Sequence, residues 1–206
     1  MKSLSKRCLN LGSGKVDFDR YKDYMTTVHV DQSYIESGSV PLDVIVQNFY
    51  DIEKEKTSKQ YLCKSNIFDF IDSFPYKFDI VFAERIFEHM DYTGGEIGRL
   101  LEGINVLTNK DAELTIVVPN AILISNILSD IEKNYEKMGY VEILNKMLIV
   151  NTENHNFRHD PHCSSWTPTT AKFYIESEGT WKISFIEEQI QFAGRDIYMR
   201  ILCYKT

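Results

Sequence analysis

Short apolar runs recur along this chain, and each stops abruptly on a glycine, a carboxylate or a proline. Cys8-Leu9-Asn10-Leu11 runs into Gly12-Ser13-Gly14, and Thr27-Val28-His29-Val30 ends on Asp31. Tyr61-Leu62-Cys63 leads to an exit loop at Asn66-Ile67-Phe68-Asp69. Phe78-Asp79-Ile80-Val81-Phe82-Ala83 is the clearest strand, and Glu113 to Val118 is halted by Pro119. Runs bounded this way read as buried strands. Between them, Ile97, Leu100, Leu101, Ile104 and Leu107 recur at helical spacing, which predicts a helix over Gly95 to Leu107. Leu42 to Ile52 fits either a helix or a strand. Helical patterns cover Ile122 to Met138 and Val141 to Ile149, and Thr167-Pro168 opens a capped helix through Glu178. Trp181 to Gln191 and Arg195 to Tyr204 read as two strands joined near Gly194, with Phe185, Phe192, Met138 and Met147 in the core. Strands alternating with helices predict an α/β parallel sheet, and the closing hairpin adds an antiparallel strand.

The 206 residues suit a single domain over 1–206. The formal net charge is -7 with no Lys/Arg run. That argues against non-specific nucleic-acid binding, which rests on neutralising phosphates. Cys8, Cys63, Cys163 and Cys203 are scattered and form no Cys-x-x-Cys pair, as expected of reduced thiols in a cytoplasmic protein. The basic start, Met1 to Arg7, is followed by too short an apolar stretch for a signal peptide. No apolar run approaches the roughly 20 residues that span a bilayer.

Gly12-Ser13-Gly14 directly follows the first strand. Its glycines let the backbone turn tightly and lie against a ligand. A dinucleotide fingerprint would need a third glycine, and Asp17 stands there instead. Asp31 ends the second strand, so its carboxylate borders the crevice at the strands' carboxyl ends, where it can accept from two ribose hydroxyls. The competing reading is an ordinary cap or turn residue. Asn66 and the Ile67 N–H could meet an adenine, against a reading of Asn66 as turn chemistry. Phe68 or Phe70 would cover the base or sit in the core.

Leu9 to Gly14 followed by Val28 to Asp31 resembles the "LNLGCG…VNVD" opening of class I S-adenosylmethionine (SAM) dependent methyltransferases. Phe78 to Ala83 with Ile86-Phe87-Glu88-His89 is similar to that family's "FDLVYA…VLEH" segment. Glu113 to Asn120 resembles its "GGxLxIxVPN" strand, and His162 to Gly179 its "HxxxWTPxxxxxxLxxxG" segment. The resemblance implies a seven-stranded, mostly parallel Rossmann-like sheet with a C-terminal antiparallel hairpin. It implies SAM as cofactor, with Leu11, Gly12, Ser13 and Gly14 along the methionine portion. Asp31 and Gln32 would lie at the ribose, Asn66 and Ile67 at adenine, and Glu84 at the methionine or acceptor. About 121–168 would form an acceptor-side insertion and loop. Asn10 stands where an acidic residue is usual. The chain begins almost at the first strand, without the helix that often lids the pocket, which leaves a partner such as a second copy in a homodimer to supply the cover.

Methyl transfer to a hydroxyl calls for a general base. The candidates are His89, His155, His159, His162, Glu84, Glu88 and Asp160. Three histidines fall between 155 and 162 in a polar loop, and His159 or His162 is the expected base or acceptor-binding group, with His89 beside them. For Glu88-His89 a structural role competes. The loop also carries zinc-type donors, but Pro161 breaks helical spacing and no metal is expected. The leading reading is a methyltransferase acting on a hydroxyl or amine of a small polar acceptor such as a sugar. Nucleic-acid methylation, a non-catalytic SAM-binding scaffold and a zinc enzyme stay open beside it.

Overall fold

The computed structural model describes residues 6–14, 16–33, 38–51, 58–133, 164–177, 179–192 and 195–206. The strands are β1 (Arg7–Leu11), β2 (Thr26–Val30), β3 (Lys59–Cys63), β4 (Phe78–Glu84), β5 (Thr108–Pro119), β6 (Trp181–Phe192) and β7 (Arg195–Lys205). They form one seven-stranded sheet in the order β3-β2-β1-β4-β5-β7-β6. The first five pair in parallel, and β7 inserts antiparallel between β5 and β6. The expected sheet, its parallel majority and its closing hairpin are all present.

The helices are α1 (Leu42–Asp51), α2 (Ile67–Ser73), α3 (Glu96–Val106), α4 (Ala121–Lys133) and α5 (Pro168–Glu176). Alternate residues of each strand point to opposite faces. Leu9, Leu11, Val28, Val30, Val81 and Ala83 share one buried cluster with Ile45 of α1, Phe70 of α2, Leu100 of α3 and Ile175 of α5. An aromatic stack closes its lower end. Phe74 lies 4.8 Å from Phe70 and 5.2 Å from Phe78, ring centre to ring centre. The other face has a thinner cover. Among the described residues between β1 and β2 the one helical element is a 3-10 turn, Phe18–Tyr21, capped by the Asp17 side chain. Tyr21 packs there with Cys8 and Ile80, while α4 places Ile124 against Val117 and Tyr198.

Several local expectations change. Leu42 to Asp51 is a helix, burying Ile45 and Phe49, one turn apart, on one side. Asn66 to Asp69 is not an exit loop but the start of α2. The fifth strand starts earlier than its apolar run, at Thr108. It carries a register break opposite Phe78 to Ile80, with Asp111 left-handed at φ 66°, so polar Asn109-Lys110-Asp111 hid its beginning. Phe185 is not core but 55% exposed. The register shift between Ile183 and Phe185 turns its ring outward, opposite Leu202. Phe192, Met138 and Met147 have side chains outside the described residues. The capped helix at Thr167 is as expected. The Thr167 hydroxyl accepts from the Thr170 N–H while the Thr170 hydroxyl accepts from the Thr167 N–H. Among the described residues, no helix is long and apolar enough to cross a membrane.

Candidate active site

A cleft of about 610 Å³ opens at the carboxyl ends of β1 to β4, a size typical of small-molecule sites. The strand order sets out its walls as a row. Asn66 follows β3, Asp31 follows β2, Gly12 to Gly14 follow β1, and Glu84 ends β4. Three strand spacings make this row about 14 Å long. All of Gly12, Ser13, Gly14, Asp31, Gln32, Asn66, Ile67, Glu84 and His89 therefore line one cleft. Leu11 does not. Its side chain is fully buried in the core, so only its backbone is available to a ligand.

Both turn glycines are left-handed, Gly12 at φ 62° and Gly14 at φ 51°. They differ in what surrounds them. A Cβ on Gly12 would fall 1.8 Å from Ile86 Cδ1, whereas one on Gly14 would meet nothing within 4 Å. The Gly12 N–H donates to the Val30 carbonyl at 2.9 Å, and the Gly14 N–H to Asp31 Oδ2 at 2.8 Å. Asp31 Oδ1 accepts from the Ser33 N–H at 2.7 Å and from its hydroxyl at 2.5 Å. A carboxylate has about four acceptor sites, and three of Asp31's are filled by the chain. The fourth, on Oδ2, has no partner among the described residues, and Asp31 lines the cleft.

Asn66 caps α2. Its Oδ1 accepts from the Phe68 N–H at 2.9 Å. That takes one of two lone pairs on Oδ1 and leaves the amide Nδ2 as donor. Ile67 is the first residue of α2, and first-turn N–H groups have no partner within the helix. Phe68 lines the cleft, with the Arg99 guanidinium 4.3 Å from its ring centre, whereas Phe70 is fully buried core. Of the two, Phe68 is thus the one on the cleft wall.

Glu84 is held by Arg20 of the 3-10 turn through both oxygens. Arg20 Nη1 donates to Oε2 at 2.8 Å and Nη2 to Oε1 at 2.5 Å. The guanidinium lies 5.0 Å from the ring centre of Phe82 and 5.5 Å from that of Tyr21. The bond to Glu84 raises the Arg20 pKa above its ordinary value. His89 stands on the cleft wall in a 3-10 turn after β4, with Nε2 3.9 Å from Oε1 of the buried Glu88. His155, His159, His162, Asp160 and Cys163 lie outside the described residues. Among the described residues no group of three His, Cys, Asp or Glu side chains could hold a metal ion.

Sequence reasoning missed two features. One is Arg20, hidden in a polar segment whose only signal is its shortness. The other is a polar row beneath the cleft. Asn10 Nδ2 lies 3.1 Å from His29 Nδ1, His29 Nε2 lies 3.0 Å from Gln60 Oε1, and Gln60 Nε2 donates to the Phe18 carbonyl at 2.9 Å. The amide roles make His29 a neutral imidazole protonated on Nε2. Burial holds it below the usual histidine range, and the bond to Gln60 opposes that shift. Polar residues inside apolar strand runs were the available signal.

No protein-family model matches the chain, and no curated protein matches it in sequence. Solved structures do match. The 1,6-didemethyltoxoflavin-N1-methyltransferase of Burkholderia thailandensis, solved with S-adenosylhomocysteine bound, superposes with a TM-score of 0.58 at 11% identity, covering 98% of this chain and 71% of that one. A SAM-dependent methyltransferase of Methanosarcina mazei gives 0.57 at 13%, covering 98% and 93%. One from Archaeoglobus fulgidus gives 0.55 at 18%, covering 98% and 87%. The fold is that of the SAM-dependent methyltransferases. The chain spans about half the length of another match, the pyocyanin biosynthetic protein PhzM, covering 52% of it at a TM-score of 0.52 and 12% identity.

Proposed function

We propose that this chain is a SAM-dependent methyltransferase that transfers a methyl group to a hydroxyl or amine of a small polar acceptor, such as a sugar. The observation that carries this reading is the placement of Asp31. Its carboxylate ends β2, bonds the left-handed Gly14, and stands in one cleft between Asn66 and Glu84. The donor set fits the cofactor. The one open acceptor site of Asp31 suits a ribose hydroxyl, an amide beside Phe68 and Ile67 suits an adenine, and Glu84 suits an ammonium. When bound, SAM supplies a methyl group already activated on a sulfonium. The chain's task is then to hold acceptor and methyl in line. Where the acceptor is a hydroxyl, His89 on the cleft wall is the residue best placed to take its proton. His159 and His162 keep the same candidacy. The net charge of -7 favours a small acceptor over a nucleic acid.

Calorimetric titration with SAM and with S-adenosylhomocysteine tests the reading. Micromolar binding by the unaltered chain, weakened at least about 100-fold in Asp31→Ala through loss of charge-assisted bonds, supports it. A folded chain that binds neither ligand refutes it. With an acceptor in hand, His89→Gln should lower kcat and flatten its pH profile while leaving the affinity for S-adenosylhomocysteine within about twofold.

A further inference from the structure

We propose that Arg20 and Glu84 together form a clamp for the zwitterionic end of the cofactor, with Glu84 taking its ammonium and Arg20 its carboxylate. The assignment rests on the cofactor reading above and names a residue that the sequence motifs do not contain. Three observations carry it. First, the row Asn66, Asp31, Gly12 to Gly14, Glu84 fixes a direction along the cleft, and Glu84 stands at the end opposite Asn66. With a base at Asn66 and a ribose at Asp31, the amino-acid end of the ligand reaches Glu84. Second, a ligand end carrying both charges is matched by a site carrying both charges. Glu84 alone would attract the ammonium and repel the adjoining carboxylate. Arg20, bonded to both oxygens of Glu84, cancels that repulsion.

Third, Arg20 has donors to spare and is held still. A guanidinium has five N–H groups in a fixed fork. Two serve Glu84, which leaves three along the remaining edges for a second carboxylate. Glu84 fixes the plane of the fork, and the rings of Phe82 and Tyr21 lie 5.0 and 5.5 Å from its centre. The side chain is 41% exposed, so its outer edges are reachable, whereas that of Glu84 is 12% exposed. A rigid, partly exposed cation beside a half-buried anion on the cleft wall is suited to a partner with the reverse arrangement. Arg20 meets the cleft through Glu84, whereas among the described residues the arginine that lines this part of the cleft itself is Arg85, left-handed at φ 60° and exposed. It serves as the control.

The test compares S-adenosylhomocysteine with its decarboxylated thioether, which keeps the adenosine and the amine but lacks the carboxylate. Binding of both is measured by calorimetry to the unaltered chain and to Arg20→Ala, Arg20→Lys and Arg85→Ala, with melting curves to establish that each is folded. The unaltered chain should prefer the carboxylated ligand by about tenfold or more, the effect of one charge-assisted pair. In Arg20→Ala that preference should fall to near one, and Arg20→Lys should restore part of it. If Arg20 only orients Glu84, both amines lose affinity equally and the preference survives, which overturns the assignment. A preference lost in Arg85→Ala but kept in Arg20→Ala overturns it as well. Failure of the unaltered chain to bind either thioether refutes the cofactor reading instead, and so separates the two.

Discussion

Replacing Gly12 and Gly14 separately by alanine puts the cleft's turn to a quantitative test. Both residues are left-handed, so each alanine incurs the penalty of that conformation, about 1–2 kcal/mol. The surroundings then divide them. At Gly14 the new Cβ enters open space, and the backbone term is the whole cost. At Gly12 it would lie 1.8 Å from Cδ1 and 2.3 Å from Cγ1 of Ile86. Ile86 must leave its position, but it is 9% exposed and packed into the main core, so relief costs about 1–3 kcal/mol more. The totals are about 1–2 kcal/mol for Gly14→Ala and 2–5 kcal/mol for Gly12→Ala. In a domain of this size, each kcal/mol moves the melting temperature by about 2–4 °C. Urea unfolding of the two variants gives the difference directly. Ile86 also lines the cleft, so the open space beside it lies in the cleft. Gly12→Ala should therefore weaken S-adenosylhomocysteine binding beyond its effect on stability. Equal destabilisation by the two variants would refute the argument from Ile86.

The remaining predictions concern the sheet and its edges. His29 is neutral in the folded chain, with its pKa lowered by burial, while the unfolded chain takes up the proton below about pH 6.5. Stability should thus fall as pH drops below about 6.5, by up to about 1.4 kcal/mol per unit for this one proton, and His29→Gln should flatten that slope in unfolding measured from pH 7.5 to 5. Lys205 Nζ donates to the carbonyls of Asn105, in the last turn of α3, and Thr108, at the start of β5, at 2.8 and 3.0 Å. Lys205→Met should cost about 1–2 kcal/mol in denaturant unfolding, while Lys6→Met, which breaks the exposed pair with Glu113, should cost under about 0.5 kcal/mol. Gln60→Leu should lower both stability and affinity for S-adenosylhomocysteine, because it frees the Phe18 carbonyl that anchors the turn bearing Arg20. A variant that loses stability alone would sever that link.

The sheet was legible because its central strands β1 and β2 are buried on both faces and its strands stop on residues with a physical reason to stop. Gly12 and Gly14 take left-handed turns, Asp31 caps its own loop at Ser33, and Thr167-Pro168 starts a helix with a reciprocal cap. Asp31, Asn66, Glu84 and His89 were legible as cleft residues because in a parallel sheet every strand presents its carboxyl end to the same side. Where reading failed, the cause was non-local. Phe185 has the composition of a core residue, but a register shift against β7 decides which way it faces. The start of β5 lies in a polar bulge that no hydrophobic pattern marks. Asn66 shows the limit of assigning one role to one residue, since the same side chain caps a helix and the residue lines the cleft.

The shortness of the β1–β2 connection links these points. A full helix there would cover the sheet face with apolar side chains. The chain instead lays down one 3-10 turn, and the face beneath it carries Asn10 and His29, both buried. Buried polar groups require partners, and the turn supplies one. Its Phe18 carbonyl receives Gln60, which completes the row through His29 to Asn10. The same turn projects Arg20 in the opposite sense, toward Glu84 at the cleft. One short segment thus answers a hydrogen-bonding demand of the core and holds Glu84 at one end of the cleft. The polar row and the guanidinium thus hang from the same turn, which Gln60 holds at Phe18 and Glu84 holds at Arg20.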